Sequence, residues 1–487
     1  MERWKMKWNF EQMYSVFTAD NKHMLLDGMW GMEREAQRVI KTGELALSPH
    51  PKSLGDKLTN PEITTDFSES QIELITPAFS KIEEVHKFME ALYEKATNHI
   101  GEEYLWPLSM PPCLPQEDKI PIAEFGDNEE GKLLNQYRQG LASRYGKKMQ
   151  MISGIHYNFS FGEQLLGLLH NRWGKGIAFN EFQDYIYFSV ARNFLRYRWL
   201  LIYLLGASPV YDETYTSVIK CELKKVKQCC PSCGRVEEEN YATSYRVSRY
   251  GYFNTGIGQM TIRYNSKKEY VRGIKKLLKK KSHKFAKLES QLNDRILQKD
   301  SEFYSAIRLK QVTEHGESQT DAIDQRGVKY AEVRILDIDP YEKAGIGLSQ
   351  LRFLQVFMLF CLMEQNTSIG RLEMRHITNN HHLVALRGRD MALQLHHPQY
   401  GKVNLKQWSS EIFVKLNKIA TLLDKEYGTS DYSDCIHTEL LKLMEPSRLP
   451  SARIVNDMAT NHESFLEFGM RKAEDYKYMN RKERKVC

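Results

Sequence analysis

The chain lacks the features that mark membrane, secreted or nucleic-acid-binding proteins. No run is apolar and long enough to cross a bilayer, since the most apolar, Leu351–Met363, is broken by Arg352 and Gln355. The longer stretch Phe182–Leu205 carries Arg192, Arg196 and Arg198. Met1–Phe10 is basic and aromatic, without the apolar centre of a secretory signal. Cysteine is sparse, 8 of 487 residues, and no second C-x-x-C completes a zinc ribbon. No internal repeat is visible. Excess charge is small: 69 basic against 62 acidic residues leave +7, too little to imply nucleic acid. These absences predict a cytoplasmic protein with no membrane and no nucleic-acid partner. They leave the oligomeric state open.

What the chain does have is acid at a spacing of two. In Thr59–Pro77 (TNPEITTDFSESQIELITP), Glu62, Asp66, Glu69 and Glu73 stand among β-branched residues. A strand here puts Glu69, Gln71 and Glu73 on one face and Ser70, Ile72 and Leu74 on the other. Glu33 and Glu35 in Met32–Val39 are also two apart, as are Glu332 and Arg334 in Lys329–Ile335. Three such segments predict one sheet face lined by carboxylates. Acids that repel one another persist together where cations neutralise them. All-oxygen ligands favour Mg²⁺ or Mn²⁺ over zinc. The same spacing also fits solvated strand faces with Arg or Lys neighbours.

With 41% hydrophobic residues the chain can bury a large core. Helical spacing marks Met1–Lys22, Ile82–Gly101, Gly131–Tyr145, Phe179–Leu205 and Lys267–Leu292. The last is strongly basic with an apolar stripe, which reads as a solvated helix face rather than a nucleic-acid surface. Leu105–Ile122 is Pro-rich and predicts an irregular loop. Lys148–Phe161 alternates as a strand containing Gln150 and His156, and Val328–Leu336 reads as another. From Gln350 helices dominate, with Ile412, Leu416, Ile419 and Leu423 as a seam. The pairs His381/His382 and His396/His397 read as solvated. The charged tail from Met470 is expected to fray.

Several runs together resemble the glutamate–cysteine ligase family. They are Gly31–Val39 (GMEREAQRV), Leu45–Pro51 (LALSPHP), Ile63–Pro77, Trp106–Pro111 (WPLSMP), Tyr145–Ser160 (YGKKMQMISGIHYNFS), Tyr241–Arg246 (YATSYR) with Gly251 and Tyr252, and Tyr330–Asp339 (YAEVRILDID). They occur in the family's order, from near residue 30 to Ser451–Ile454 (SARI). No appended ATP-grasp segment follows, so the resemblance is to the bacterial stand-alone ligase. It implies an α+β fold like that of glutamine synthetase: a curved, largely antiparallel sheet forming a funnel, flanked by helices. One catalytic domain would span 1–470, with a Cys-rich segment at 210–240, a mostly helical part from 350 and a charged tail at 471–487.

The resemblance implies ATP-dependent joining of the glutamate γ-carboxylate to the amine of cysteine through γ-glutamyl phosphate. Glu33, Glu35, Asp66, Glu73 and Glu332, with His156 nearby, would hold Mg²⁺, or Mn²⁺. A lone histidine also fits a satisfied core position. Glu62 and Glu69 are left as structural. Arg138 and Arg246 suit substrate carboxylates, because guanidinium pairs with carboxylate in bidentate fashion. Arg308, Lys310 and Arg334 suit the ATP phosphates, with Arg308 and Arg334 acting on the transferring group. Phe67, Tyr137, Gln150, Tyr252 and Tyr304 match the pocket for cysteine, where sulfur–aromatic contact is favourable. Ordinary core packing is the other account of each aromatic.

One feature departs from the family pattern: Cys221, Cys229, Cys230 and Cys233 cluster in CELKKVKQCCPSC. Structural Zn²⁺, a redox switch and no special role all remain open for it. Cys113, Cys361, Cys435 and Cys487 read as free thiols. Two other functions also stay open. One is the same chemistry with another amine acceptor; the other is a non-catalytic thiol- or metal-sensing protein on this scaffold.

Overall fold

The computed structural model describes residues 7–18, 20–221, 241–251 and 262–483. The fold is α+β. Its centre is an open antiparallel sheet of 7 strands: β1 (Gly28–Val39), β2 (Ile63–Thr65), β3 (Gln71–Ile75), β4 (Tyr104–Leu105), β5 (Ile155–Phe161), β6 (Ile307–Lys310) and β7 (Tyr330–Leu336). The strand order is β2-β3-β1-β5-β7-β6, with β4 against the end of β1. Strict alternation gives the sheet two chemically different faces. Met32 and Ala36, Ile72 and Leu74, Ile155, Tyr157 and Phe159, and Ala331, Val333 and Ile335 join one hydrophobic core. The residues between them, among them Glu33, Glu35, Glu73, His156 and Glu332, line a cavity on the other face.

Helices flank the sheet: α1 (Phe10–Phe17), α2 (Ile82–His99), α3 (Glu129–Tyr145), α4 (Glu163–Trp173), α5 (Phe179–Leu205), α6 (Lys267–Lys279), α7 (Gln319–Arg326), α8 (Leu348–Met363), α9 (Arg371–Arg387), α10 (Leu405–Tyr427), α11 (Asp431–Met444), α12 (Pro450–Asn461) and α13 (Phe465–Glu483). α8 is apolar almost all round because it is buried almost all round, as is α5. The arginines of α5 are buried too. Arg192 donates to the Tyr264 and Thr367 carbonyls at 2.8 and 3.0 Å, so the charges tie down loop backbone instead of meeting solvent. The α10 seam of Ile412, Leu416, Ile419 and Leu423 is fully in the core. Among the described residues, no helix is long and apolar enough to cross a membrane.

Five expectations change. Thr59–Pro77 is not one strand: β2 and β3 form a hairpin, closed where Gln71 N donates to Ser68 O at 2.8 Å. Glu69 therefore leaves the face of Glu73 and lies in the turn. There it pairs with Lys57 and accepts from the His50 and Glu124 amides at 2.7 and 2.8 Å. Glu62 pairs with Lys95 at 3.2 Å. Lys148–Met151, including Gln150, is a 3₁₀ turn, and β5 begins only at Ile155. α6 stops at Lys279, so Phe285 and Leu288 belong to the following turns. His381 and His382 are buried, 5% and 7% exposed, with His381 Nε2 2.6 Å from Val247 O. Burial, then Arg198, holds the His381 ring well below the usual histidine range. Of the segment expected to fray, the described part up to Glu483 belongs to α13, where Tyr476 donates to Pro340 O at 2.8 Å and Lys477 to Gly101 O at 2.8 Å.

Candidate active site

Strand register assembles the site. Glu35 lies opposite Glu73, Glu33 opposite His156, and Glu332 opposite both Asn158 and Arg308. A register shift between Ile155 and Tyr157 frees His156 from pairing with β7. The result is a row of acids from β3, β1 and β7, with His156 of β5 among them, that meets the cations of β6 and β7. The cavity above this row measures about 260 Å³.

At one end, ligand atoms of Glu33, Glu73 and His156 all lie within 4.8 Å of one another. Glu33 is 2.9 Å from His156 Nδ1 and accepts from Asn158 Nδ2 at 2.9 Å. Glu35 accepts from the Gly154 amide at 2.8 Å, and Asp66 stands beside them on the hairpin turn. Burial raises the Glu35 carboxyl to about 8, with the Asp66 charge adding to it. Burial also raises Glu73 well above the usual range, helped by Asp66, Glu33 and Glu35. Glu33 differs: burial opposes its charge, but the His156 hydrogen bond, together with the charges of His156 and Lys310, lowers it on balance. Burial and Arg334 lower His156, which favours the neutral ring. A neutral ring that donates from Nδ1 to Glu33 keeps a lone pair on Nε2.

At the other end, Glu332 sits among cations. It pairs with Arg334, lies 3.0 Å from Lys310 Nζ and is 3.8 Å from His156 Nδ1. Burial disfavours its charge, yet Arg334 and Lys310 win and hold it well below the usual range. Arg308, Lys310 and Arg334 outnumber Glu332, so this end stays positive. Arg308 donates to the Ser301 and Phe303 carbonyls at 2.5 and 2.7 Å.

Two more arginines reach the cavity. Arg246 donates from Nη2 to Arg334 O at 3.0 Å and lies 3.7 Å from Asp337. Among the described residues its Nε and Nη1 have no hydrogen-bond partner, nor does Arg138 Nη1. Arg138 stacks 4.2 Å above Phe125 and donates to the Asp66 carbonyl. Phe67, Tyr137, Gln150 and Tyr304 complete one wall. All the site residues expected from sequence therefore meet in one cavity except Tyr252, which lies outside the described residues. Cys229, Cys230 and Cys233 also lie outside them, and Cys221 is exposed. The Zn²⁺ reading gains no support. Cys113, Cys361 and Cys435 are free thiols.

Sequence reading missed Asn158, Tyr145, Ser301 and Glu302. Asn158 had a signal, being two residues from His156 on the same strand face. Glu302 had none of its own, because it sits in a polar turn outside the matching runs, although Tyr304 is two residues on.

Carboxylates gathered opposite a surplus of guanidinium and ammonium groups, on one face of an open antiparallel sheet, suit a ligase that activates a carboxylate with a nucleotide phosphate. The glutamate–cysteine ligase family model matches residues 13–384, and the chain belongs to that family. The glutamate–cysteine ligase of Clostridium acetobutylicum is 47% identical over 480 residues, covering 96% of this chain and 100% of that one. The glutamate–cysteine ligase of Francisella tularensis, solved in complex with AMP, superimposes with a TM-score of 0.83 at 32% identity, covering 93% of this chain and 89% of that one. A bifunctional glutathione synthetase from Pasteurella multocida gives a TM-score of 0.76 at 27% identity, covering 96% of this chain and 55% of that one.

Proposed function

We propose that the chain joins the γ-carboxylate of L-glutamate to the amine of L-cysteine, cleaving ATP to ADP and phosphate. The product is γ-glutamylcysteine, made in the first step of glutathione biosynthesis. The observation that carries this reading is the two-ended cavity, acidic at Glu33, Glu35, Asp66 and Glu73 and basic at Arg308, Lys310 and Arg334.

The donor set at the acidic end fits a hard divalent cation. Burial and neighbouring acids raise Glu35 and Glu73 although Arg246, Arg334 and Arg138 partly offset them, so the cluster favours an added cation, and His156 offers a neutral nitrogen. Glu33, Glu73 and His156, with Glu35, Asp66 and Glu332 beside them, would hold Mg²⁺ or Mn²⁺. When bound, such ions neutralise the triphosphate and draw charge from the transferring phosphoryl group.

The remaining steps fall to the protein's own groups. A carboxylate does not acylate an amine, because oxide is too poor a leaving group. Arg308, Lys310 and Arg334 hold the phosphoryl oxygens while the γ-carboxylate oxygen attacks phosphorus and ADP departs. Arg246 and Arg138 carry unused donors that suit substrate carboxylates and would fix the γ-glutamyl chain. The cysteine amine then attacks the carbonyl carbon, the C–O bond breaks, phosphate leaves and the amine gives up a proton. Phe67, Tyr137, Gln150 and Tyr304 would exclude water from that acceptor and face its thiol.

Phosphate release from ATP and glutamate, with and without amines, tests the reading. It should require cysteine. Release with a different amine would replace the acceptor, and no release with any amine would remove the ligase assignment.

A further inference from the structure

Glu302 borders the cavity, yet its oxygens are engaged. Oε1 accepts from Arg144 Nη1 at 2.9 Å and from the Tyr145 hydroxyl at 2.7 Å, and Oε2 accepts from Gln298 N at 2.5 Å. Its side chain is 1% exposed and that of Arg144 0%. A carboxylate so occupied is not an available base. What it does is anchor a turn.

Arg144 and Tyr145 end α3, the helix that carries Tyr137 and Arg138. Arg144 also takes the Gln291 side chain at 2.9 Å and the Asn293 carbonyl at 2.6 Å, wrapping the segment before Glu302 around the helix end. Ser301 Oγ reaches the Tyr137 hydroxyl at 3.4 Å. The carbonyls of Ser301 and Phe303 receive the Arg308 guanidinium. Three neighbouring residues thus fasten to the helix end, to the acceptor wall and to Arg308, and the next residue is Tyr304.

We propose that Glu302 is a positioning residue that sets the acceptor wall and Arg308 in register. The proposal rests on the ligase reading above. Replacing Glu302 by glutamine keeps the shape but removes the only carboxylate paired with Arg144 among the described residues. Either the amide NH₂ faces the Gln298 amide, donor against donor, or it faces Arg144. In both cases the turn shifts, and with it Tyr304 and the carbonyls that hold Arg308.

The test uses the full chain and its discrimination between L-cysteine and L-2-aminobutyrate, in which a methyl replaces the thiol. In Glu302→Gln the ratio of the two kcat/KM values should fall about tenfold, with a raised KM for cysteine. Tyr145→Phe removes one hydrogen bond and serves if the first variant folds poorly; its ratio should shift the same way by about threefold. A merely structural role would lower activity with the folded fraction and leave ratio and KM untouched. That result, with an active wild type, overturns the proposal alone. A wild type without cysteine-dependent phosphate release overturns the ligase reading and the proposal together.

Discussion

Gly154→Ala should displace Arg246 without removing a charge. A Cβ at Gly154 would lie 1.8 Å from Arg246 Nη2, 2.3 Å from Cζ and 2.6 Å from Nε. Moving Nη2 from 1.8 Å to an ordinary contact of 3.4 Å requires roughly 1.6 Å of guanidinium travel. The backbone cannot yield easily, since Gly154 N donates to Glu35 and Gly154 O accepts from Glu35 N at 3.0 Å. Arg246 would therefore lose its bond to Arg334 O and its approach to Asp337. A misplacement of about 1 Å can cost on the order of 100-fold in rate, so kcat/KM for glutamate should fall about that much. Overpacking should cost about 1–3 kcal/mol of stability, read as a lower melting temperature. Steady-state kinetics in glutamate and a double-mutant cycle with Arg246→Ala provide the assay. The double variant should be no worse than Arg246→Ala alone, because both act through one guanidinium. Additive losses, or an unchanged glutamate dependence in Gly154→Ala, would refute the argument.

Two further predictions concern the acidic end. Glu73→Gln removes a buried acid repelled by Asp66, Glu33 and Glu35. In the presence of a chelator it should stabilise the protein by about 1 kcal/mol or more, while Mg²⁺-dependent turnover is lost; a variant that melts lower and still turns over would contradict both halves. The second is a pH dependence. The folded-state pKa of Glu35 is raised from 4.5 to about 8, so the folded chain holds a proton that the unfolded chain has released. Its contribution is fully present below about 4.5 and lost as pH rises towards about 8. Glu33 and Glu332 are lowered and act only below that window. Above about 7 the lowered histidines are largely neutral in both states. Metal-free melting temperature should thus fall from about pH 7 to about 8, more in wild type than in Glu35→Gln, and added Mg²⁺ should stabilise most at the upper end. A flat profile, or no difference between the two proteins, would contradict this.

The functional face was legible where chemistry repeats at period two. Glu33 with Glu35, and Glu332 with Arg334, declare their shared faces in the sequence, and the folded strands keep them. The hairpin was not legible, because Ser68, Glu69 and Ser70 keep an alternating pattern while the chain turns back. Gln150 was misplaced for a related reason: Met149, Gln150 and Met151 alternate by type, but the backbone there is a tight 3₁₀ turn. His381 and His382 looked solvated beside polar neighbours, yet α9 packs that face inward against Val247 and the arginines of α5 and the 241–251 segment. Long-range events left no trace at all. Nothing local says that Gly154 must stay bare for Arg246, or that Glu302 will meet Arg144 across 158 residues. Such contacts depend on strand register and loop closure, which pair segments far apart in the chain.

Oxygen tracing tests the central claim most directly. Glutamate labelled with ¹⁸O in its γ-carboxylate should pass one labelled oxygen to the released phosphate during turnover with cysteine and ATP. The γ-carboxylate attacks phosphorus, and the amine later breaks the carbon–oxygen bond. Labelled phosphate that disappears in Glu33→Gln and Arg334→Gln would fit a cavity in which acids and arginines together transfer the phosphoryl group to that carboxylate. Unlabelled phosphate released at full rate would contradict it.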